Sequence, residues 1–224
     1  MVIGNGLIAK KFVNYDDSNI VFFASGVSNS LEISESEFTK EKIILNNIIL
    51  NNMNTVLIYF SSTSIYYNRN RYVLHKIEIE EIIKNSGINF FIFRLPQVLG
   101  KGGSKNNLIN FLINQITQRN PFKIYNTERS IIDIDDVFNI VIKSIESYPP
   151  CKTFDISGIE FCKVTEIVSI IEKCLNLKSN YSIVDEGSKN IYKLNSSEIE
   201  TIISELKINK DLYIKNTIEK YVRY

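Results

Sequence analysis

The chain has 224 residues, 44% of them hydrophobic and 23% charged, with a formal net charge of +1. Such a composition supplies enough apolar residues for one good core, and a charge so near zero gives no electrostatic reason to expect nucleic acid or an anionic membrane as a partner. Cys151, Cys162 and Cys174 lack CxxC spacing, and the lone His75 cannot complete a zinc set with them; no metal is expected, and the cysteines read as buried small apolar residues in a reducing, cytoplasmic setting.

The opening MVIGNGLIAKKF is a very short strand, a glycine turn and an amphipathic run, with no basic region followed by a long apolar stretch that would make a signal peptide. NIVFFAS, Asn19–Ser25, is a second strand: a continuous apolar run rich in β-formers and closed by Ser-Gly. Polar GVSNSLEISESEFTK leads to a helix over about Thr39–Asn51, and TVLIYFSS, Thr55–Ser62, is a third buried strand. Asparagines interrupt IILNNIILNNMNTVLIYF well short of a membrane-spanning length. A helix over about Asn70–Asn85 carries Val73, Ile77, Ile79 and Ile83, with Gly87 where a C-terminal cap belongs. INFFIFRLP is a fourth strand, stopped by Pro96.

After GKGGSKNN come a helix (Leu108–Gln118), a short strand near Phe122–Tyr125, a loop into a helix over SIIDIDDVFNIVIKSIES, and a short strand in KTFDISG. The rest is mostly helical: Val164–Leu175, Ser197–Leu206 and Asp211–Tyr221. No linker or repeat divides the chain, so 1–224 is expected to be a single domain, with a core over 1–100, a substrate-binding and C-terminal part over 101–224, and a small, mainly helical C-terminal lobe. Unalternated apolar strands separated by helices predict an α/β fold whose parallel sheet is covered on both faces. Ligands of such open sheets bind at the carboxyl ends of the strands, where Gly4, Ser25, Ser62, Thr63 and Pro96 fall.

Two constellations there carry chemistry. Gly4-Asn5-Gly6-Leu7-Ile8-Ala9 is a GxGxxA turn between a strand and a helix. It is either a pyrophosphate cradle, glycines allowing close backbone approach while helix N–H groups favour the charge, or only a turn. Tyr72 and Lys76, four apart, share one helical face downstream of Thr63. A phenol titrating near pH 10 is a poor acid or base until a nearby cation favours the phenolate, and Thr63 or Ser62 at the strand end can hydrogen-bond a carbonyl or alcohol. The alternative is an ordinary surface tyrosine and lysine. His75 reads as structural, pointing elsewhere on the helix; Asp135 and Asp136 read as capping or first-turn acids. KGGSKNN is either a substrate loop or a solvated turn.

Taken in order, these stretches resemble the extended short-chain dehydrogenase/reductases that act on nucleotide sugars, the NAD-dependent epimerase/dehydratase type, over nearly the whole chain. GNGLIA resembles the nucleotide-binding turn, FFASGVSNS the strand and loop beside the cofactor's diphosphate and ribose, YFSSTSIYY the strand ending in Ser-Ser-Thr, and YVLHK the Tyr-x-x-x-Lys motif. FRLPQVLGKGG resembles the stretch leading into substrate contacts, ERSIIDIDDVFNIV the Arg-x-phi-phi-x-Val-Asp-Asp segment, and FDISG the short strand after it. The nearest likeness is to dTDP-4-dehydrorhamnose-reductase-like and UDP-sugar epimerase/dehydratase-like members.

The resemblance implies a Rossmann-type sheet and makes Tyr72 the acid/base, Lys76 the partner that lowers its pKa and holds the nicotinamide ribose, and Thr63 the hydroxyl polarising the sugar carbonyl, with Ser62 in reserve. Gly4, Asn5, Gly6, Leu7, Ile8, Ala24, Ser25, Gly26, Ser62, Tyr72, Lys76, Leu95 and Pro96 would bind NAD or NADP; Ser62, Thr63, Gln97, Lys105, Asn107 and Arg129 would bind a nucleotide sugar, Arg129 at its diphosphate. The implied activity is that of a 4-keto reductase or epimerase in glycan precursor synthesis, and a homodimer is implied as the assembly.

The chain departs from the family's pattern twice. The glycine turn runs almost directly into what resembles the fourth family strand. The usual second and third strands, and the acidic residue about twenty positions on that holds the adenosine ribose, therefore have no room; Asp16 and Asp17 precede a strand and are not ribose ligands. Thr63 and Tyr72 are only nine positions apart, which trims the substrate cleft. The rival reading is a reductase-like protein that binds a sugar nucleotide without using a dinucleotide.

Overall fold

The computed structural model describes residues 1–67, 69–103, 107–185 and 196–222. In chain order these form β1 (Val2–Ile3), α1 (Leu7–Phe12), β2 (Ile20–Phe23), α2 (Glu35–Asn51), β3 (Val56–Ser62), a 3-10 turn (Thr63–Tyr66), α3 (Arg71–Asn85), β4 (Asn89–Leu95) and β5 (Gln97–Leu99). There follow α4 (Leu108–Thr117), β6 (Pro121–Tyr125), β7 (Glu128–Asp133), α5 (Ile134–Ser147), β8 (Lys152–Asp155), β9 (Phe161–Lys163), α6 (Val164–Leu175), β10 (Asn180–Val184), α7 (Ser197–Glu205) and α8 (Tyr213–Val222).

The main sheet is the expected Rossmann-type one, five parallel strands in the order β1-β2-β3-β4-β8. Its strands are continuous apolar runs because both faces are covered. Phe22, Ile58, Phe60, Phe91, Phe93 and Phe154 belong to one cluster with α1, α5 and the C-terminal helices, while Val21, Phe23, Leu57, Tyr59, Phe90 and Ile92 pack under α2 and α3. On the first face Phe93 and Phe154 stack at 5.4 Å between ring centroids. β1 lies at the edge, with no strand beyond it among the described residues, so no strand stands where a second and third family strand would.

The smaller sheets come from the later part of the chain, where sequence patterning reads less strand than exists. β7 occupies what reads as a loop; it pairs with β5 in parallel and β9 antiparallel, while β10 pairs with β6. β8 joins the main sheet, and one hydrophobic cluster runs from Phe12 through α5 to Ile218, so the later elements share a core with the earlier ones. The cysteines differ from expectation: Cys162 is buried, Cys174 half-buried and Cys151 exposed. No helix among the described residues is long and apolar enough to cross a membrane.

Candidate active site

Parallel pairing brings the carboxyl ends of β1 to β4 to one edge of the sheet, and most of the expected site residues lie there. Gly4, Asn5 and Gly6 form an exposed turn. Gly4 has φ +132°, and a Cβ on it would lie 2.4 Å from the Ala24 carbonyl oxygen, so this corner between β1 and β2 requires glycine. A Cβ on Gly6 would meet nothing within 4 Å. Leu7 and Ile8 open α1; Leu7 packs against Gly100 and Gly103, where added Cβ atoms would lie 2.8 and 3.6 Å from its methyl carbons.

Ala24, Ser25 and Gly26 follow β2 beside this turn. Ser62 caps the 3-10 turn, accepting from the Ser64 N–H at 3.2 Å. Thr63 is buried; its hydroxyl donates to the Leu95 carbonyl and meets the Tyr67 hydroxyl, both at 3.3 Å. The turn is pinned from two strands. The Tyr66 hydroxyl donates to Asp155 at 2.6 Å and accepts from Arg94, which also forks onto Glu80 at 2.6 and 2.9 Å, while Ser61 donates to Glu80 at 2.7 Å. Burial, then the bond to Asp155, pushes the Tyr66 phenol up to about 12. Burial opposes ionisation of Glu80, but Arg94 and Ser61 outweigh it and hold the carboxyl below its usual range.

Asn70 caps α3; its side chain accepts from the Val73 N–H at 3.0 Å and donates to the Ser30 carbonyl at 2.8 Å, tying the helix start to the loop after β2. Its buried face carries Tyr72, His75, Lys76 and Glu80 beside Val73, Ile79 and Ile83. The Lys76 ammonium lies 5.8 Å from the Tyr72 ring centroid but donates to the Tyr59 hydroxyl at 2.9 Å and to Glu41 at 3.2 Å. A Cβ on Gly26 would lie 2.8 Å from that ammonium, so β2's end and α3 meet through Lys76. Among the described residues no hydrogen bond joins Thr63, Tyr72 and Lys76 to one another. His75 does not point away as expected; it is fully buried and its Nε2 meets Glu41, the carboxylate that holds Lys76, at 2.9 Å.

On the substrate side, Leu95 ends β4, Pro96 follows it and Gln97 opens β5. Asn107 caps α4, accepting from the Asn110 N–H at 3.1 Å, and Lys105 lies outside the described residues. Arg129, in β7, donates to Thr127 Oγ1 at 2.6 Å and to its neighbour's carbonyl at 2.9 Å, with no carboxylate partner among the described residues. Burial lowers its pKa, and the Tyr67 phenol pulls the other way. Asp133, not Asp135 or Asp136, caps α5, and those two stand in its first turn as expected. A cavity of about 360 Å³ between α5 and α8 lies apart, lined by Asp133, Asp136, Tyr213 and Lys220 among others; Lys220 is already paired to Asp133 and Asp135.

Sequence reasoning passed over Glu41, Tyr59 and Tyr67. Glu41 had a signal: it occupies the apolar stripe of α2 with Phe38, Leu45, Ile48 and Ile49, a place where a carboxylate must find partners.

The model of the NAD dependent epimerase/dehydratase family matches residues 24–156, more than half of the chain, beginning after the glycine turn. No curated protein matches the chain in sequence. Among solved structures, a UDP-N-acetylglucosamine 4-epimerase from Methanobrevibacter ruminantium, in complex with UDP-N-acetylmuramic acid, superposes with a TM-score of 0.71 at 17% identity, covering 98% of this chain and 79% of that one. A UDP-glucuronic acid 4-epimerase from Bacillus cereus, with UDP-glucuronic acid and NAD, gives 0.71 at 16% identity over 98% and 79%. A dTDP-glucose 4,6-dehydratase from Bacillus anthracis, with NAD, gives 0.73 at 12% identity over 92% and 71%. At these identities the likeness is one of fold.

Proposed function

The chain belongs to the NAD-dependent epimerase/dehydratase family, and on that premise we propose that it is an NAD(P)-dependent nucleotide-sugar oxidoreductase, a 4-keto reductase or epimerase in glycan precursor synthesis. One observation carries the reading: Tyr72 and Lys76 share a face of α3, with the Lys76 ammonium against Gly26, at the sheet edge where the glycine turn stands. Structural neighbours bound to NAD or to UDP-sugars support it.

The residues fit a dinucleotide in part. The Gly4–Gly6 turn is open to solvent and free of obstruction at Gly6, as a backbone cradle for a pyrophosphate needs. Gly26, Tyr72 and Lys76 suit the nicotinamide side. The adenosine side would lie past the edge strand β1, beyond which the main sheet has no further strand among the described residues. Bound there, the dinucleotide would give or take the hydride. The chain's own part is acid–base chemistry and positioning: Tyr72 gives or takes the proton at the sugar oxygen, and Lys76 supplies a cation beside it. The two contacts of Thr63 are both long for O–H···O bonds, so its hydroxyl is free to turn to a substrate oxygen. Arg129, half-buried with no carboxylate partner among the described residues, suits a diphosphate.

The rival reading, a protein that binds a sugar nucleotide but no dinucleotide, is favoured by the edge position of β1. Melting curves with NAD, NADP and UDP-, dTDP-, GDP- and CDP-sugars separate the two, since a ligand at a hundred times its Kd stabilises by about 2.7 kcal/mol. A rise with both classes supports the oxidoreductase. A rise with sugar nucleotides alone supports the rival, and no rise with either sinks both. A homodimer through α2 and α3, which leave Ile43, Leu50 and Leu74 exposed, is proposed as the assembly; a monomeric mass in sedimentation would remove it.

A further inference from the structure

The buried face between α2 and α3 carries charge that the proposed chemistry does not explain. Glu41 is 1% exposed and receives hydrogen bonds from four groups. The Val27 N–H and His75 Nε2 reach Oε2 at 2.7 and 2.9 Å; the Tyr59 hydroxyl and Lys76 Nζ reach Oε1 at 3.0 and 3.2 Å. Lys76 also donates to the Tyr59 hydroxyl at 2.9 Å, closing a triangle of three side chains from α2, β3 and α3. His75 packs on the Phe38 ring at 4.6 Å between centroids, which wedges the imidazole against the carboxylate. The Gly26 backbone lies against the pair, since a Cβ there would lie 2.6 Å from Glu41 Oε1 and 2.8 Å from Lys76 Nζ.

Stability alone is a poor reason for this arrangement, because a buried ion pair is seldom better than well-packed apolar residues in its place. What it does achieve is to fix the end of a long side chain that would otherwise be free. We propose that Glu41 is a positioning residue, holding the Lys76 ammonium against Gly26 so that a single N–H faces a ligand. Lysine has three N–H donors; Glu41 and Tyr59 take two, and one is left without a partner among the described residues. The identity of the ligand, a ribose or sugar hydroxyl, rests on the reading given under Proposed function; the positioning rests on the geometry alone.

The test is side-chain ammonium NMR on ¹⁵N-labelled protein at pH 7. Exposed ammonium protons exchange with water too fast to be seen, whereas a buried ammonium bonded twice keeps its signal. The wild type should show such a signal, Lys76→Met should remove it, and Glu41→Gln should abolish or broaden it while the fold persists. Melting of the double variant Glu41→Gln/Lys76→Met covers the case in which Glu41→Gln does not fold. It should melt higher than Glu41→Gln, because it also removes the cation left unpaired. No protected Lys76 signal in the wild type, an unchanged signal in folded Glu41→Gln, or a double variant that melts at or below Glu41→Gln would overturn the proposal. Neither readout uses a dinucleotide or a sugar, so failure of the enzymatic reading would leave this result standing, and the reverse.

Discussion

Gly4 meets Ala24 backbone to backbone: with φ +132°, a Cβ on Gly4 would fall 2.4 Å from the Ala24 carbonyl oxygen. Neither the conformation nor the contact admits a side chain, so Gly4→Ala is expected to cost about 2 kcal/mol or more. Gly6 differs. Its φ is −75°, and a Cβ there meets open space. Gly6→Ala is expected to cost no more than about 1 kcal/mol, the effect of a weaker helix cap. If a pyrophosphate rests on this turn, the same methyl weakens NADH binding tenfold or more, read by fluorescence titration. NADH affinity unchanged in Gly6→Ala would move the dinucleotide off the turn.

Acid stability follows from Glu41. Burial alone would raise its pKa, but the Lys76 charge and the bonds from His75 and Val27 outweigh burial and hold it at about 2, against an ordinary 4.5. A carboxyl depressed on folding contributes stability that is fully present above its unfolded value and disappears as pH falls through its folded one. The contribution is on the order of 3 kcal/mol, lost between about pH 4.5 and pH 2, and Glu80 acts in the same direction. Urea midpoints measured across that range should fall steeply in the wild type and less steeply in Glu41→Gln. Parallel slopes would exclude Glu41 as the main source.

Local patterning made the main sheet legible, because strands covered on both faces write unbroken apolar runs such as IVFF and NFFIFRL. The Ser-Ser-Thr end of β3 and the four-residue spacing of Tyr72 and Lys76 likewise declared their place at the sheet edge. Legibility ended where structure depends on distant residues. β5 and β9 have three residues each, too short to show a period, and ERSIID becomes strand only because it has partners on both sides. α2 begins at Glu35, four residues before the expected start, although Ser34 followed by Glu37 is a legible N-terminal signal. The partners of Lys76 lie 17 and 35 positions away, so a motif that names the lysine says nothing of the carboxylate that holds it.

Arg129 separates binding from stability. Its side chain is half-buried with no carboxylate partner among the described residues, an arrangement that costs the folded chain. Arg129→Met is therefore expected to melt at the wild-type temperature or above it. If the cation waits for a diphosphate, the same variant loses tenfold or more in affinity for UDP-sugars, measured by calorimetry. A variant that melts lower and binds as well would make Arg129 a structural residue.

Tyr72 and Tyr59 offer a paired test of the proposed chemistry, because both lie near the Lys76 ammonium but only one spends its hydroxyl on the fold. The Tyr59 hydroxyl is fully buried, donates to Glu41 and accepts from Lys76; Tyr59→Phe leaves both with a missing partner and should cost about 1–3 kcal/mol. The Tyr72 ring packs with Ile65 and Val73, and its hydroxyl has no hydrogen-bond partner among the described residues. Tyr72→Phe should therefore stay within about 0.5 kcal/mol of the wild type in stability and bind ligands nearly as well. Turnover of a nucleotide-sugar substrate, however, should fall by a factor of about 10² to 10⁴, the usual contribution of a placed acid or base. Full turnover in folded Tyr72→Phe would remove the phenol from the mechanism, whatever ligands the protein binds.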